Sequence, residues 1–225
     1  MRKNYLKGTL WNWVLLILLC GSSLSTKAQE ATPLNRDFEV TGGIGLVLPA
    51  VDSDKSNFVS KNGNHAGYAL LAEGRYHLSD VVGVGLQYDY LRSAKFSDKM
   101  HVHYVGPNVS LRHLFSDDTQ AVYISAGCGF LNYQDRVYPS SSHSASVYNK
   151  NYFAVAAGVG YQFRLTNELA GTIRIDVLTA DWFVNPDGRL YNPHPDYDDH
   201  KSHNWFDNDI TFFQLSLGLT FGFGE

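Results

Sequence analysis

Apolar and polar residues alternate along the segment Ile210–Phe223, close to the last residue of the sequence. Taken in steps of two, the row from Phe213 to Phe223 contains only Phe and Leu, whereas the row from Phe212 to Gly222 is mostly small or polar. Alternation with a period of two predicts a β-strand that has one apolar face and one small or polar face.

Seven earlier segments show the same alternation, and each is long enough for a tilted strand to cross a bilayer, which takes roughly 9–11 residues. In the fourth segment, Pro107 predicts a bulge or a missing hydrogen bond, because proline has no backbone N–H. No helical periodicity of useful length follows residue 28, so no helix is predicted there. The seven segments are Phe38–Leu48, Tyr68–Leu78, Val81–Leu91, His103–Phe115, Ala121–Tyr133, Tyr152–Leu165 and Leu169–Ala180.

The connections between these segments alternate in length. Three are short, and they cover residues 79–80, 116–120 and 166–168. Four are long, and they cover residues 49–67, 92–102, 134–151 and 181–209. Short turns at one end and long loops at the other predict an all-β fold, an eight-stranded antiparallel up-and-down transmembrane β-barrel.

Charged residues of the strands fall on only one of the two rows. The apolar row of every segment lacks Asp, Glu, Lys and Arg, so we expect it to face lipid and the other row to face the lumen. Eight strands enclose a space that side chains can fill, and charges buried there need partners, so an ion-pair network filling a polar lumen is predicted. The alternative is a path for protons or ions through the same residues. The inward charges are Glu39, Glu73, Arg75, Asp89, Arg112, Arg164, Arg174 and Asp176.

Aromatic residues cluster at two depths on the apolar rows, as expected for the two interfaces of a membrane. A soluble barrel that carries a ligand would turn its apolar row inward and would not need such belts. The short-turn belt contains Phe38, Tyr76, Phe115, Tyr161, Phe163, Phe221 and Phe223. The long-loop belt contains Tyr68, Tyr88, Tyr90, Phe130, Phe153 and Phe213.

The N-terminal residues have the layout of a secretory signal. A basic start is followed by the apolar run Val14–Cys20, which is shorter than a membrane-spanning helix, and by small residues before Gln29. We therefore predict a signal peptide over residues 1–28, a lead-in over residues 29–37 and a barrel domain over residues 38–225. A lipid-modified Cys20 is the alternative, which the bulky Leu19 before it disfavours.

Cleavage after residue 28 would leave an acidic chain with one cysteine. The sequence contains 18 Lys and Arg and 22 Asp and Glu, and four of the basic residues lie in residues 1–28, so the mature net charge would be −8. This balance argues against nucleic acid as a partner. Because only Cys128 would remain, neither an intrachain disulfide nor a cysteine-based metal site is expected.

The chain resembles the small outer-membrane β-barrel domain proteins, which are often described as porin-like or adhesin-like. The resemblance rests on the signal, the eight alternating strands, the Gly-x-Gly pairs such as Gly43/Gly45 and the aromatic end at Phe223. The resemblance covers Phe38–Phe223. It implies a location in the outer membrane of a Gram-negative bacterium, with the short turns in the periplasm. Its partners would be the lipid bilayer and lipopolysaccharide, and no cofactor is implied. The Gly pairs do not extend to the Gly-x-Gly-x-x-Gly of a dinucleotide site.

The last long connection, residues 181–209, is rich in Asp, His and aromatic residues. Its imidazoles and carboxylates are weak candidates for metal ligands, although their spacing does not match an EF-hand. Exposed aromatic side chains favour contact with a partner, so this loop is also the candidate site for an extracellular ligand. The metal candidates are His194, Asp196, Asp198, His200 and His203, and the binding candidates are Trp182, Tyr191, Tyr197 and Trp205.

No catalytic residue is predicted. The run His200-Lys201-Ser202 resembles the His-x-Ser of outer-membrane lipid A deacylases, but it lies within a loop rather than on a strand. No serine has a base and an orienting group at a fixed spacing. The predicted role is therefore non-enzymatic, either structural in the cell envelope or in adhesion and binding through the external loops. A narrow pore for small solutes or ions and a lipid-modifying outer-membrane enzyme are the alternatives.

Overall fold

Nine strands and one short helix make up the part of the chain that the computed structural model describes, namely residues 37–51, 56–115, 119–138, 145–166, 168–184, 190–191 and 210–223. The predicted signal peptide and nearly all of the lead-in lie outside these residues. The elements are β1 (Phe38–Val51), α1 (Asn57–Asn62), β2 (Gly67–His77), β3 (Val82–Lys95), β4 (Asp98–Leu114), β5 (Gln120–Val137), β6 (Ser146–Arg164), β7 (Leu169–Val184), the two-residue β8 (Leu190–Tyr191) and β9 (Ile210–Phe223).

The strands form a closed antiparallel barrel. Each of the strands β1 to β7 pairs with the next one along the chain, β7 also pairs with β9, and β9 pairs with β1. Eight strands therefore make the ring, while β8 pairs only with the end of β7. The eight-stranded up-and-down barrel predicted from the sequence is confirmed, and closure leaves no unpaired strand edge in the ring.

The two rows of each strand face opposite sides of the barrel wall. The outward side chains Ile44, Leu46 and Leu217 are 68%, 64% and 60% exposed, whereas the inward Arg75 and Arg174 are 2% and 1% exposed. An apolar exterior around a polar interior is the reverse of a water-soluble protein and fits a barrel surrounded by lipid.

Aromatic rings contact one another at both ends of this apolar surface. In the short-turn belt, the ring centroids of Phe38 and Phe223 are 6.3 Å apart. In the long-loop belt, the centroids of Tyr68 and Tyr90 are 6.2 Å apart in an edge-to-face arrangement. The outward surface between the belts is aliphatic, which matches the hydrocarbon region of a bilayer.

Two connections predicted as long loops are mostly strand. Lys95 pairs directly with Asp98, so β3 and β4 are joined by a two-residue turn in which Phe96 has a φ of 55°. Similarly, β5 continues to Val137, which pairs with Ser146 at the start of β6. The prediction was wrong here because the outward row of these extensions is polar, with Arg92, Lys99 and Arg136, while the inward row stays buried, so the apolar outward row ends while the hydrogen-bond ladder continues.

The helix α1 was not predicted, because six residues are too few to give a periodic pattern. Ser56 caps its start, with Oγ accepting a hydrogen bond from the Val59 N–H at 3.1 Å. Gly63, at a φ of 73°, ends it. Among the described residues, no helix has the length and apolar composition needed to cross a membrane.

Pro107 interrupts the β4–β5 ladder as predicted. Pairing runs to Val105 opposite Phe130 and resumes at Asn108 opposite Gly127. Two residues are skipped on each strand, so the ladder has a gap without a bulge, because proline cannot donate the missing hydrogen bond.

The depth dependence of the lipid-facing row can be tested within β9. We expect Leu217→Arg, in the aliphatic band, to destabilise the folded barrel by about 2–4 kcal/mol, because a charge at the membrane midplane is poorly solvated. Thr211→Arg is the matched control, since Thr211 lies on the same row beyond the long-loop belt, where the cost falls to about 0–1 kcal/mol. The measurement is the fraction of protein that folds into lipid vesicles, seen as the heat-modifiable gel band. Equal folding of the two variants would contradict the inside–outside assignment.

Candidate functional site

The short-turn half of the lumen contains a cluster of charged side chains around Glu39. Arg112 Nη1 donates a hydrogen bond to Glu39 Oε1 at 3.1 Å, and Gln162 Nε2 donates one to Oε2 at 3.3 Å. His77 Nε2 lies 3.4 Å from the same carboxylate, and Arg75 Nη1 lies 3.7 Å away. The strands β2, β4 and β6 are thus joined to β1 through one buried carboxylate.

A second cluster lies towards mid-height and is centred on Arg174. Its guanidinium donates to Glu73 Oε2 and to Asp176 Oδ1, both at 2.5 Å, and to Gln87 Oε1 at 2.8 Å. Glu73 Oε1 also accepts hydrogen bonds from Arg75 Nη2 at 2.8 Å and from the Asn108 amide at 2.7 Å. Because Arg75 reaches both Glu39 and Glu73, the two clusters form one network.

Neutral side chains extend this network. The Arg75 guanidinium lies 4.2 Å from the centroid of the Tyr123 ring, a cation–π contact. The hydroxyl of Thr220 bridges those of Thr41 and Thr172, at 2.8 and 2.7 Å. Hydrogen bonds therefore link β1, β7 and β9 across the seam that closes the barrel.

The structure brings seven of the eight predicted inward charges into the network. Six of them form ion pairs, and Asp89 joins through the Gln87 amide, which donates to Asp89 Oδ2 at 2.6 Å. Arg164 lies elsewhere, at the short-turn end of β6, where its Nε donates to the Thr166 carbonyl at 2.8 Å. Sequence reasoning missed His77, although it lies on the same row of β2 as Glu73 and Arg75, because only Asp, Glu, Lys and Arg were counted.

The network contains four carboxyl groups but three guanidinium groups. His77, beside Glu39, is the one further group in it that can supply a positive charge. A buried charge without a partner is costly, so the excess of one carboxyl group has to be compensated within the lumen. Asp89 is the carboxyl group with no guanidinium partner among the described side chains.

The long-loop half of the lumen is apolar. Buried aliphatic and aromatic side chains such as Val47, Leu91, Leu131, Tyr152 and Phe212 form one continuous cluster there. The predicted polar lumen is therefore found only in the short-turn half. The sequence pattern hid this difference, because the inward row turns apolar near the long-loop end while remaining a strand.

The helix α1 packs over this apolar cluster at the long-loop end of the lumen. Phe58 is completely buried against the cluster, and Val59 is buried beside it. Asp135 Oδ2 accepts hydrogen bonds from the Ser56 hydroxyl at 3.0 Å and from the Phe58 N–H at 3.1 Å, and Tyr133 donates to the Ser56 hydroxyl. One carboxylate on β5 thereby holds the start of the helix over the lumen.

A second carboxylate holds the end of α1. Asp98, at the turn between β3 and β4, pairs with Lys61 Nζ at 2.8 Å and accepts from the Asn62 amide and the Tyr138 N–H, both at 2.9 Å. Asp98 lies beyond the long-loop belt. Burial opposes its ionisation, but Lys61 and these hydrogen bonds outweigh that effect and lower the pKa of Asp98 to about 2. The contact is therefore fully present above about pH 4 and is lost as the pH falls towards 2.

The remaining candidate residues belong to the last long connection. The backbone of Trp182 lies in β7 and that of Tyr191 in β8. Tyr197, Trp205 and the metal candidates His194, Asp196, Asp198, His200 and His203 lie outside the described residues. Within the ranges that the structure describes, no group of three or more His, Cys, Asp and Glu side chains is placed to hold a metal ion.

Comparison with known proteins gives one family. The family model described as "Outer membrane protein beta-barrel domain" matches residues 14–223. No curated protein sequence matches the chain significantly.

Solved structures share the fold at low sequence identity. Neisserial surface protein A is 11% identical, with a TM-score of 0.58 over 83% of this chain and 97% of that chain. The outer membrane protein OprG from Pseudomonas aeruginosa is 13% identical, with a TM-score of 0.53 over 86% and 98%. Ail, the attachment invasion locus protein of Yersinia pestis, is 13% identical, with a TM-score of 0.50 over 84% and 100%. These likenesses establish the barrel architecture.

The lumen network predicts that two of its carboxyl groups differ in their contribution to stability. We expect Glu73→Gln to destabilise the barrel by about 3–5 kcal/mol, because it leaves two buried guanidinium groups undercompensated. Asp89→Asn should cost less than about 1 kcal/mol, because the amide oxygen can still accept from Gln87 and the network contains more carboxyl than guanidinium groups. Urea unfolding in lipid vesicles measures both values. Equal losses of unfolding free energy in the Glu73→Gln and Asp89→Asn variants would contradict the charge balance described above.

Proposed function

Because the chain belongs to the family of outer-membrane β-barrel domain proteins, we propose that it is a non-enzymatic, non-conducting surface protein whose barrel anchors external structure. In this family architecture the short turns lie in the periplasm and the long loops lie outside the cell. The elements above the long-loop belt, namely α1 and the β3–β4 and β5–β6 hairpins, then project from the outer membrane. Export by the signal over residues 1–28 belongs to the same proposal.

The observation that carries this proposal is the double closure of the lumen. The apolar cluster under α1 fills the outer half, and the ion-pair network fills the periplasmic half. A conducting pore needs a continuous hydrated path, and ions do not cross a packed apolar layer. The barrel therefore fits a rigid support better than the narrow pore considered from the sequence.

The same contacts argue against an enzyme. Six of the lumen charges are held in ion pairs, and both carboxylates above the lumen, Asp98 and Asp135, hold α1 in place. Catalytic acids and bases need access to substrate. Side chains in these positions stabilise the structure instead.

We assign ligand binding to the connection between β7 and β9. It is far longer than the roughly 12–15 residues beyond which loops usually have a role, and it includes the aromatic residues Tyr191, Tyr197 and Trp205, with Trp182 just before it in β7. The attachment named in the description of Ail is consistent with an external role on this fold. We therefore propose, more specifically, that this loop binds an extracellular ligand.

The test is excision of the loop. Replacing residues 185–204 with a short Gly/Ser turn should leave a heat-modifiable barrel and abolish binding of the nanodisc-embedded protein to an array of matrix proteins and glycans. The matched control replaces residues 139–144, between β5 and β6, with Gly/Ser of equal length and should bind like the wild type. The same preparations should give no current steps in planar bilayers.

Three results would contradict the proposal. Full binding after the excision would place the function outside this loop. Absence of any binding by the wild type would remove the ligand-binding role. Regular current steps from the wild type would favour the pore, and a mass change in lipid A from cells that express the protein would favour the enzyme.

A further inference from the structure

The outward face of β3, β4 and β5 carries a one-sided group of Arg, Lys and His side chains at and above the long-loop belt. We define this group as the basic rim, which consists of Arg92, Lys99, His101, His103 and Arg136. Over their whole described length, the outward rows of these three strands contain no Asp or Glu. The nearest acids, Asp98 and Asp135, point inward and hold α1.

The rest of the barrel differs at this height. Where β1 and β7 pair with the loop end of β9, the outward residues Ala50, Thr179 and Thr211 are uncharged. Among the side chains that the structure describes, the basic rim thus belongs to the side of the barrel formed by β3, β4 and β5.

Two cations of the basic rim lie directly opposite one another on neighbouring strands. Lys99 pairs with Arg136 across β4 and β5, and Arg92 lies opposite the imidazole-bearing His101 across β3 and β4. The like charges of Lys99 and Arg136 repel each other and destabilise the sheet. An anion bound between these two side chains would remove the repulsion, because both offer N–H donors to phosphate oxygens.

Hydrogen bonds fix the imidazoles of the basic rim. Tyr90 OH lies 2.7 Å from His101 Nδ1, and Tyr88 OH lies 2.9 Å from His103 Nδ1. The Tyr90 and His103 rings also pack, with centroids 5.0 Å apart. Arg92 Nη1 donates to Tyr68 OH at 3.2 Å. Three side chains of the rim are therefore positioned by aromatic residues of the long-loop belt.

A group of side-chain amides continues the rim onto β5 and β6. Asn132 Nδ2 donates to Asn149 Oδ1 at 2.9 Å and to Asn151 Oδ1 at 2.7 Å, and Gln134 Nε2 donates to Asn132 Oδ1 at 2.6 Å. Amides offer both donors and acceptors, as sugar hydroxyls require. Cations next to aligned amides suit a ligand that has both phosphate and sugar groups.

A cavity connects the basic rim to the lipid-facing surface. Its volume is about 310 Å³, and its lining includes His103, Asn132 and Asn151 at the polar end and Val105 and Phe130 at the apolar end. It lies beside the interruption that Pro107 makes in the β4–β5 ladder. A ligand with a polar head and an apolar chain could place its head on the rim and part of its chain in this cavity.

From this arrangement we infer that the basic rim and its cavity bind a phosphorylated glycolipid of the outer leaflet, the lipid A part of lipopolysaccharide. The occupant is a lipid because the cations lie at the depth of the aromatic belt, where headgroups lie, and because the cavity opens onto the lipid-facing wall. The inference rests on the proposed outer-membrane placement and adds a site and a ligand class to it. Its residues belong to β3 to β6 and include none of residues 181–209.

The test compares retention of lipid A by the full-length protein in phosphatidylcholine nanodiscs containing a small fraction of purified lipid A, measured by native mass spectrometry. We expect K99A/R136A to weaken retention about tenfold or more, because two charge-assisted contacts are lost. Adding T179K and T211K to this variant restores the net charge on the other side of the barrel and should not restore binding. The exchange K99R/R136K should retain most of it.

A second comparison keeps the wild-type protein and changes the lipid. Lipid A with its phosphates removed should bind the wild type about as weakly as native lipid A binds K99A/R136A, and a soluble sulfated oligosaccharide should not displace native lipid A. Arg92→Gln serves as an independent variant, and the heat-modifiable band reports folding of every variant. The excision of residues 185–204 should leave lipid A retention unchanged, so failure of the loop proposal and failure of this inference are distinguishable.

Each arm can overturn the inference. Folded K99A/R136A and Arg92→Gln variants that retain lipid A like the wild type would remove the site. Equal retention of dephosphorylated lipid A would remove the role of the phosphates. Displacement by the soluble glycan, or rescue by T179K and T211K, would show a surface that responds to anions or to net charge without selecting a lipid.

Discussion

The pairing of β1 with β9 is the interaction on which the rest of the structure depends, because it closes the sheet. In a hydrocarbon surrounding, every backbone N–H and C=O must find a partner within the protein, and only a closed sheet provides this for strands. Closing eight strands leaves a narrow lumen that side chains must fill. The tightness is visible at Gly160, where a methyl group would lie 2.2 Å from the Tyr123 ring. Small residues and paired charges therefore share the inward row.

The lumen meets this constraint in two different ways. In the short-turn half, guanidinium and carboxylate groups pair with one another, and Arg174 alone joins side chains of β2, β3 and β7. In the long-loop half, apolar side chains pack under Phe58, and Asp135 and Asp98 hold α1 over them. The extended β3–β6 hairpins supply both of these carboxylates. The same hairpins carry the basic rim on their outward face, so closure of the lumen and the proposed contact with outer-leaflet lipid depend on the same strands.

The strands and the orientation of their rows could be predicted from the sequence because the membrane imposes a period of two on every crossing strand. The gap in the β4–β5 ladder could likewise be predicted from Pro107, because proline has no backbone N–H to donate. The features above the membrane could not be predicted in this way. There the outward row of β3 to β6 becomes polar, so Lys99 and Arg136 look like loop residues, and α1 is too short for a helical period. Asp135 fell outside the predicted fifth strand, and its partners in residues 56–58 are distant in sequence, which no local pattern reveals.

The helix α1 is a fixed part of the barrel and closes the lumen at its long-loop end. Amide hydrogen exchange at the Phe58 N–H, which donates to Asp135, measures this most directly in the protein embedded in lipid nanodiscs at neutral pH. We expect protection of this amide close to that of the barrel strands, because exchange requires the helix to leave the lumen. Exchange at the rate of an unstructured peptide would contradict it and would make the lumen open at its outer end.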